Sequence, residues 1–242
     1  MRAAIIQSSY LPWRGYFDFI RSVDVFVFYD DVQYSTGSWR NRNRLKTAAG
    51  AQWITVPVHA STSRAIDETR IARHNGDWRA RHRRQLETAL GPAPHFSDAR
   101  RIWESTVAGD FASISQLNIR LTHAINEYLG IATRAALSRD FQPAGDSTSR
   151  LVDLLRKLGA DTYLSGPTAK GYLDESAFRA AGIRLEYKTY DYAPYPQLWG
   201  AFEGAVTVLD LIANTGPDAA RHLASRSANV VAVAGAAAES AA

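Results

Sequence analysis

The sequence predicts an α/β fold of Rossmann-like type, with a mostly parallel sheet and a helical insertion at about 60–130. Short apolar, β-branched or aromatic runs alternate with helical segments at both ends of the chain, the pattern of a parallel sheet with crossover helices. Between these two parts, over 76–130, the apolar period lengthens to that of helices. The first run, Ala3-Ala4-Ile5-Ile6-Gln7, breaks at once into a polar and aromatic loop from Ser8 to Phe17. In an open α/β sheet such a loop faces the amino end of the next helix, where ligands sit.

Each element has its own signal. Residues 2–7 read as a buried strand and 15–22 as a helix, and Val25-Phe26-Val27-Phe28-Tyr29 is a second strand ending in Asp30-Asp31-Val32-Gln33-Tyr34. Gln52 to Val58 is a third strand, with Pro57 marking its end or an edge position. Asp77 caps a helix reaching Leu90, Gly91-Pro92 stops it, and Ser97 or Asp98 starts another. Ile114, Leu117, Ile119, Leu121, Ile125 and Leu129 form the apolar stripe of a third helix, closed by Gly130.

Alternation then returns. Arg134 to Ser138 is a strand, and Ser147 or Thr148 caps a helix that Gly159 ends. Thr162-Tyr163-Leu164 is a strand, followed by the turn Ser165-Gly166-Pro167, a helix through about Ala181, the strand Arg184 to Tyr187 and a helix over 203–214. Residues 1–225 form one domain on this reading, and 226–242, with its alanine-rich end, is a disordered tail.

Composition narrows the chemistry. No stretch approaches the ~20 apolar residues of a membrane span, and no secretory leader pattern opens the chain, so a cytoplasmic protein without a membrane partner is expected. Zero cysteines remove disulfides, thiolate nucleophiles and cysteine metal sites together. The six histidines show neither H-E-x-x-H nor paired ligand spacing, so no metal is expected. A net charge of +4 is concentrated in Arg40 to Lys46 and Arg79 to Arg84, runs suited to phosphates. Zinc-finger, RNP and helix-turn-helix patterns are missing, so nucleic acid is not the expected partner.

The loops at the carboxyl edge offer Gln7, Tyr10, Trp13, Asp30, Asp31, Gln33 and the turn from Ser165 to Lys170. That turn is not a Walker A sequence, but free N–H groups and Lys170 there can cradle a phosphate. Neighbouring Asp30 and Asp31 point to opposite faces. Asp30 is favoured as a base, a magnesium ligand or an amine-steering group, against a turn-capping role. His82 is the histidine favoured as an acid or base, with a packing role as its alternative.

Gln7-x-x-Tyr10-Leu11-Pro12-Trp13-x-Gly15-Tyr16-Phe17, Asp24-x-Phe26-Val27-x-Tyr29-Asp30-Asp31-Val32-Gln33-Tyr34 and Trp39-x-Asn41-Arg42-Asn43-Arg44 resemble the WbqC family of bacterial proteins. So do Val56-Pro57-Val58, Trp78-x-x-x-His82, Tyr163-Leu164-Ser165-Gly166, Tyr195-Pro196-Gln197 and Leu209-Asp210-Leu211, and the resemblance spans roughly residues 3–220. It departs at Ser8, where the family usually has proline, and at Thr207, where it usually has serine.

The resemblance implies a cofactor-free biosynthetic enzyme of surface-polysaccharide or specialised-metabolite assembly. Such an enzyme would transfer an acyl or aminoacyl group, from a coenzyme A or carrier-protein thioester, to a small-molecule amine. Asp30, His82 and Lys170 are its expected catalytic residues, and Gln7, Tyr10, Trp13, Gln33, Arg42, Asn43, Ser165, Gly166 and Gln197 its expected binding residues. Pro12-Trp13-x-Gly15-Tyr16 is also laid out like the H-x-G-H loop of nucleotidylyltransferases, with aromatics in both histidine places. Trp and Tyr supply no cation to a transferred phosphate, a loss of several kcal/mol in the transition state. A nucleotidylyltransferase using Lys170 and magnesium stays open as an alternative, as does a non-catalytic ligand-binding protein of a sugar-modification pathway.

Overall fold

A computed structural model describes residues 1–61, 63–72 and 76–235. Its strands are β1 (Arg2–Ile6), β2 (Val25–Phe28), β3 (Arg42–Thr47), β4 (Gly50–Thr55), β5 (Arg134–Leu137), β6 (Thr162–Ser165), β7 (Arg184–Tyr187) and β8 (Val230–Val233). Its α-helices are α1 (Arg14–Arg21), α2 (Trp78–Leu90), α3 (Phe96–Val107), α4 (Ile114–Tyr128), α5 (Ser147–Leu158), α6 (Glu175–Ala180) and α7 (Val208–Thr215). Six strands form one sheet in the order β5-β2-β1-β6-β7-β8, parallel throughout except for β8. The architecture is the Rossmann-like, mostly parallel α/β fold that the alternation predicts.

Period-two patterning sends the two sides of each strand into different cores. Ala4, Phe26, Phe28 and Leu164 pack with α1 and the helices α2–α4. Ala3, Ile5, Val25, Val27, Tyr163 and Leu185 pack against Leu151, Leu154 and Leu155 of α5 and Phe178 of α6. Local signals set the helix ends. Asp77 accepts hydrogen bonds from the Arg79 and Ala80 N–H groups at the start of α2, and Ser113 caps α4. Asp146, one residue before the expected caps, forms a capping box with Ser149, and Gly159 closes α5 at φ 70°.

The structure departs from the sequence reading at five places. The basic run 42–47 is a strand: β3 pairs with β4 in a separate antiparallel hairpin, turned at Thr47–Gly50 with Gly50 at φ 96°. The strand expected over 52–58 therefore leaves its ladder at Thr55, before Pro57. After β6 the chain makes a 3₁₀ turn, Pro167–Gly171, and the helix restarts only where Asp174 caps α6. Part of the expected tail, Val230–Val233, is edge strand β8, while residues 236–242 lie outside the described ones. The helix expected over 203–214 starts at Val208, because the Thr207 hydroxyl accepts the Leu209 N–H and fixes its first turn. None of the described helices is long and apolar enough to cross a membrane.

Candidate functional site

β1 lies between β2, which follows it in sequence, and β6, which arrives from the far half of the chain. Connections therefore leave the sheet in opposite directions on either side of β1, and a crevice opens at the carboxyl ends of β1 and β6. A cleft of about 410 Å³ occupies this place, lined by Ile6, Ser9, Pro12, Trp13, Tyr16, Phe19, Trp39, Arg40, Asn43, Thr168, Tyr190 and Ala205. Its volume suits a small molecule.

The first loop is built around two demands. Leu11 sits at φ 45°, a left-handed conformation disfavoured for leucine. Asn43 holds it there by donating from Nδ2 to the Tyr10 and Leu11 carbonyls, at 3.2 and 2.8 Å. Trp13 folds back over the first turn of α1, and it can do so only over glycine: a Cβ on Gly15 would lie 2.3 Å from Trp13 Cζ2. The indole then meets Tyr190 and Tyr192 edge-on, with ring centres 5.0 and 5.5 Å away. Tyr192 donates its hydroxyl to Asp18 Oδ2 at 2.9 Å, and the same carboxylate pairs with the buried Lys188 at 2.7 Å. The aromatic wall is thus moored to α1 by charge.

Arg40 is the one formally charged side chain among the lining residues. Its Nε and Nη1 are shut off from water and have no hydrogen-bond partner. Burial pushes its pKa down, against the attraction of Tyr16, Asp30 and Tyr34; an arginine stays protonated even so.

The expected site residues divide into those at the cleft and those behind it. Trp13 and Asn43 line it, and Gly166 lies beside it, where an added Cβ would stand 3.6 Å from the Tyr190 hydroxyl. Gln7, at the end of β1, accepts the Tyr16 hydroxyl on its carbonyl. Ser165 is buried, its hydroxyl on Tyr163 and its carbonyl accepting the Lys188 N–H. Lys170 is exposed on the 3₁₀ turn, and Thr168 of that turn lines the cleft in its stead.

The two favoured acid–base groups are in the interior. Asp30 accepts the Ser8 N–H at 2.7 Å and the Ser115 hydroxyl, tying the first loop to α4, and its pKa is raised chiefly by burial. His82 is a fully buried residue of α2, with Nε2 3.0 Å from the Thr55 carbonyl and Nδ1 2.9 Å from the Tyr10 hydroxyl. Tyr10 in turn accepts the Trp103 indole N–H at 2.9 Å. Neutral imidazole fits this chain of bonds: Nε2–H donates to the carbonyl and Nδ1 accepts from the tyrosine. Desolvation pushes the His82 pKa down to about 4. Tyr10 and His82 are thus core partners set apart from the cleft, because α2 packs across the hairpin and covers them.

The remaining expected residues serve other places. Arg42 stacks on Trp53 at 4.2 Å and donates to the Gly37 carbonyl. Gln33 is exposed and bridges to Ala65. Gln197 joins a separate buried cluster, accepting from Lys46 Nζ at 2.9 Å and donating to Asp210 Oδ1 at 2.7 Å. Asp31 pairs with Arg150 at 2.7 Å. Tyr190 is the cleft residue that the sequence does not point to; Ser9, Trp39 and Thr168 lie in the first loop, a family motif and the turn from Ser165 to Lys170 without a role of their own, and Arg40 enters only as one member of a basic run.

Comparison with known proteins gives a family and one curated relative. The model of the WbqC-like protein family matches residues 7–222. An uncharacterized protein of Mycobacterium tuberculosis, Rv1507c, is 45% identical over 227 residues, covering 92% of this chain and 97% of its own length. No solved structure gives a significant match.

Proposed function

Because the chain belongs to the WbqC-like protein family, we propose that it is a biosynthetic transferase joining an activated acyl or aminoacyl group to an amino acceptor. The donor is a thioester of pantetheine type, on coenzyme A or a carrier protein, and the setting is surface-polysaccharide or specialised-metabolite assembly. The observation that carries this reading is the switch-point cleft itself, with apolar and aromatic walls around a single cation. A slender pantetheine arm suits such walls.

In the reaction the amine nitrogen bonds the thioester carbonyl carbon, the C–S bond breaks, and the proton lost by the amine passes through water to the departing thiolate, which leaves as the thiol. Amide formation from a thioester is downhill, so holding the two reactants in line supplies most of what is needed. Asp30 and His82 are not the base in this scheme, since neither reaches the cleft; Asp30 acts through the loop it holds. The test is incubation with acyl- and aminoacyl-pantetheine thioesters and a panel of amines, following thiol release and amide mass. Release that requires both partners is expected. Absence of amide across the panel would overturn the reading.

The strand order favours a second reading, nucleotidylyl transfer. β5-β2-β1-β6-β7 is the 3-2-1-4-5 order of doubly wound nucleotide-binding sheets, and Trp13 to Tyr16 stands at its phosphate loop. Consumption of a nucleoside triphosphate with pyrophosphate release would select it. Tight binding of a pathway product without turnover would select a non-catalytic binding protein.

A further inference from the structure

We infer that the cleft takes a ligand bearing one negative charge, a phosphodiester or a carboxylate, seated on Arg40, and that it discriminates against polyphosphates. The inference rests on the cleft being the substrate site and names the chemistry that the site selects. Two buried guanidinium nitrogens without hydrogen-bond partners are costly, and the attraction of Asp30 behind them offsets their desolvation only in part. Arg40 is also a lining residue of the cleft, so an anion entering it brings a counter-charge to the guanidinium.

A second, independent feature points the same way. The amino end of α1 faces the cleft through Pro12 and Trp13, and Trp13 at the N-cap provides no side-chain acceptor. The first turn of α1 carries no acidic residue either, so its positive dipole end is left for a ligand.

Charge decides how much anion fits. Among the described residues Arg40 is the sole formal charge lining the cleft, and Asp30, close enough to act on Arg40 electrostatically, lies behind it. A single negative charge balances the guanidinium. Each further charge meets no second lining cation among the described residues and is repelled by Asp30. A nucleoside triphosphate, a pyrophosphate or the nucleotide part of coenzyme A therefore fits poorly. The phosphodiester that links a pantetheine arm to a carrier protein, or the carboxylate of an amino acid, fits well.

The experiment is calorimetric titration of the full chain with pairs of probes, one member neutral and the other bearing a single negative charge. Pantetheine is compared with the O-methyl ester of 4′-phosphopantetheine, and N-acetylglycinamide with N-acetylglycine; inorganic pyrophosphate and ATP with magnesium complete the series. The charged member of at least one pair should bind about tenfold tighter or more, the scale of a charge-assisted hydrogen bond. A preference in the first pair assigns the charge to a phosphodiester, and in the second to a carboxylate. Arg40→Met should abolish the preference, so that the charged and neutral members of each pair bind alike.

Equal affinities within both pairs for the wild-type protein would overturn the inference, and that result needs no variant to fold. So would pyrophosphate or ATP binding more tightly than every singly charged probe. Binding is read without turnover, so a charge preference in a protein that forms no amide would defeat the transferase reading and leave this inference standing.

Discussion

Acid should destabilise this protein through His82, and the size of the effect follows from its surroundings. The ring is fully buried, and its pKa lies at about 4 folded against 6.5 for an ordinary histidine. The unfolded chain therefore binds a proton that the folded one refuses. Stability from the neutral ring is fully present above pH 6.5 and is lost as pH falls from there towards 4. At pH 5 the loss is about 2 kcal/mol, and the whole gap corresponds to about 3 kcal/mol. The assay is urea denaturation at pH 7.5 and pH 5 for the wild type and for His82→Gln, whose amide can still donate to Thr55 and accept from Tyr10. Asp30 and Asp210, with pKa values raised by burial, act in the opposite sense, gaining stability as acid is added. They are common to both proteins and cancel in the comparison. The wild type should lose about 2 kcal/mol more than the variant. Equal losses, together with an NMR titration of the imidazole near pH 6.5, would refute a buried neutral His82 and return it to the list of acid–base candidates.

Two substitutions probe the cleft directly. Gly15→Ala should displace the Trp13 ring, since the new methyl carbon would stand 2.3 to 2.7 Å from three of its atoms. The gain of about 1 kcal/mol usual for alanine in a helix should be offset by two lost edge-to-face contacts of about 0.5–1.5 kcal/mol each. The expected outcome is a nearly unchanged melt with altered near-ultraviolet circular dichroism and weakened ligand binding; an unaltered aromatic spectrum would show that Trp13 does not need the glycine. Asp30→Asn should fold, because an asparagine oxygen still accepts the Ser8 N–H while the Ser115 hydroxyl turns to accept the new amide. It should also bind singly charged probes a few-fold more tightly, because the negative charge behind Arg40 is gone; weaker binding in a folded variant would place Asp30 in contact with the ligand.

The sheet was readable because its strands are short runs whose neighbours break them unmistakably: Asp30 after β2, Gly159 before β6, Gly182 before β7. The hairpin was not, because Arg42 to Lys46 reads as a run of charge. Only its pairing with β4 shows that Asn43 and Leu45 face inward while Arg42 stacks outside on Trp53. The cleft was half legible. Trp13 and Asn43 sit in motifs that point to a loop and its clamp, but Tyr190 and Thr168 owe their place to β6 and β7 docking beside β1. The motif names Arg42 and leaves Arg40 at an unspecified position, so the sequence points to the neighbouring arginine. The burial of Arg40 comes from the packing around it, and α4 takes part, with Asn118 donating to the Arg40 carbonyl at 2.8 Å. His82 lay in a recognisable motif, yet its solvent exposure depended on how α2 crosses the hairpin, which spacing along the chain does not encode.

The pairing of β1 with β6 also sets a timetable. When synthesis has passed β5, the chain holds β1, β2 and all of α2 to α4, but Thr162, the partner of Arg2, has not yet been made. Until it is, β1 presents an unpaired edge of apolar residues, the kind of surface that invites strands from other chains. The cleft waits longer still, since Tyr190 and Ala205 come after β7. Closing a sheet across such a span is intrinsically slow. A chain cut short before residue 160 would carry most of the helical mass and nine of the twelve residues lining the cleft, and would have to find its missing strand in another molecule.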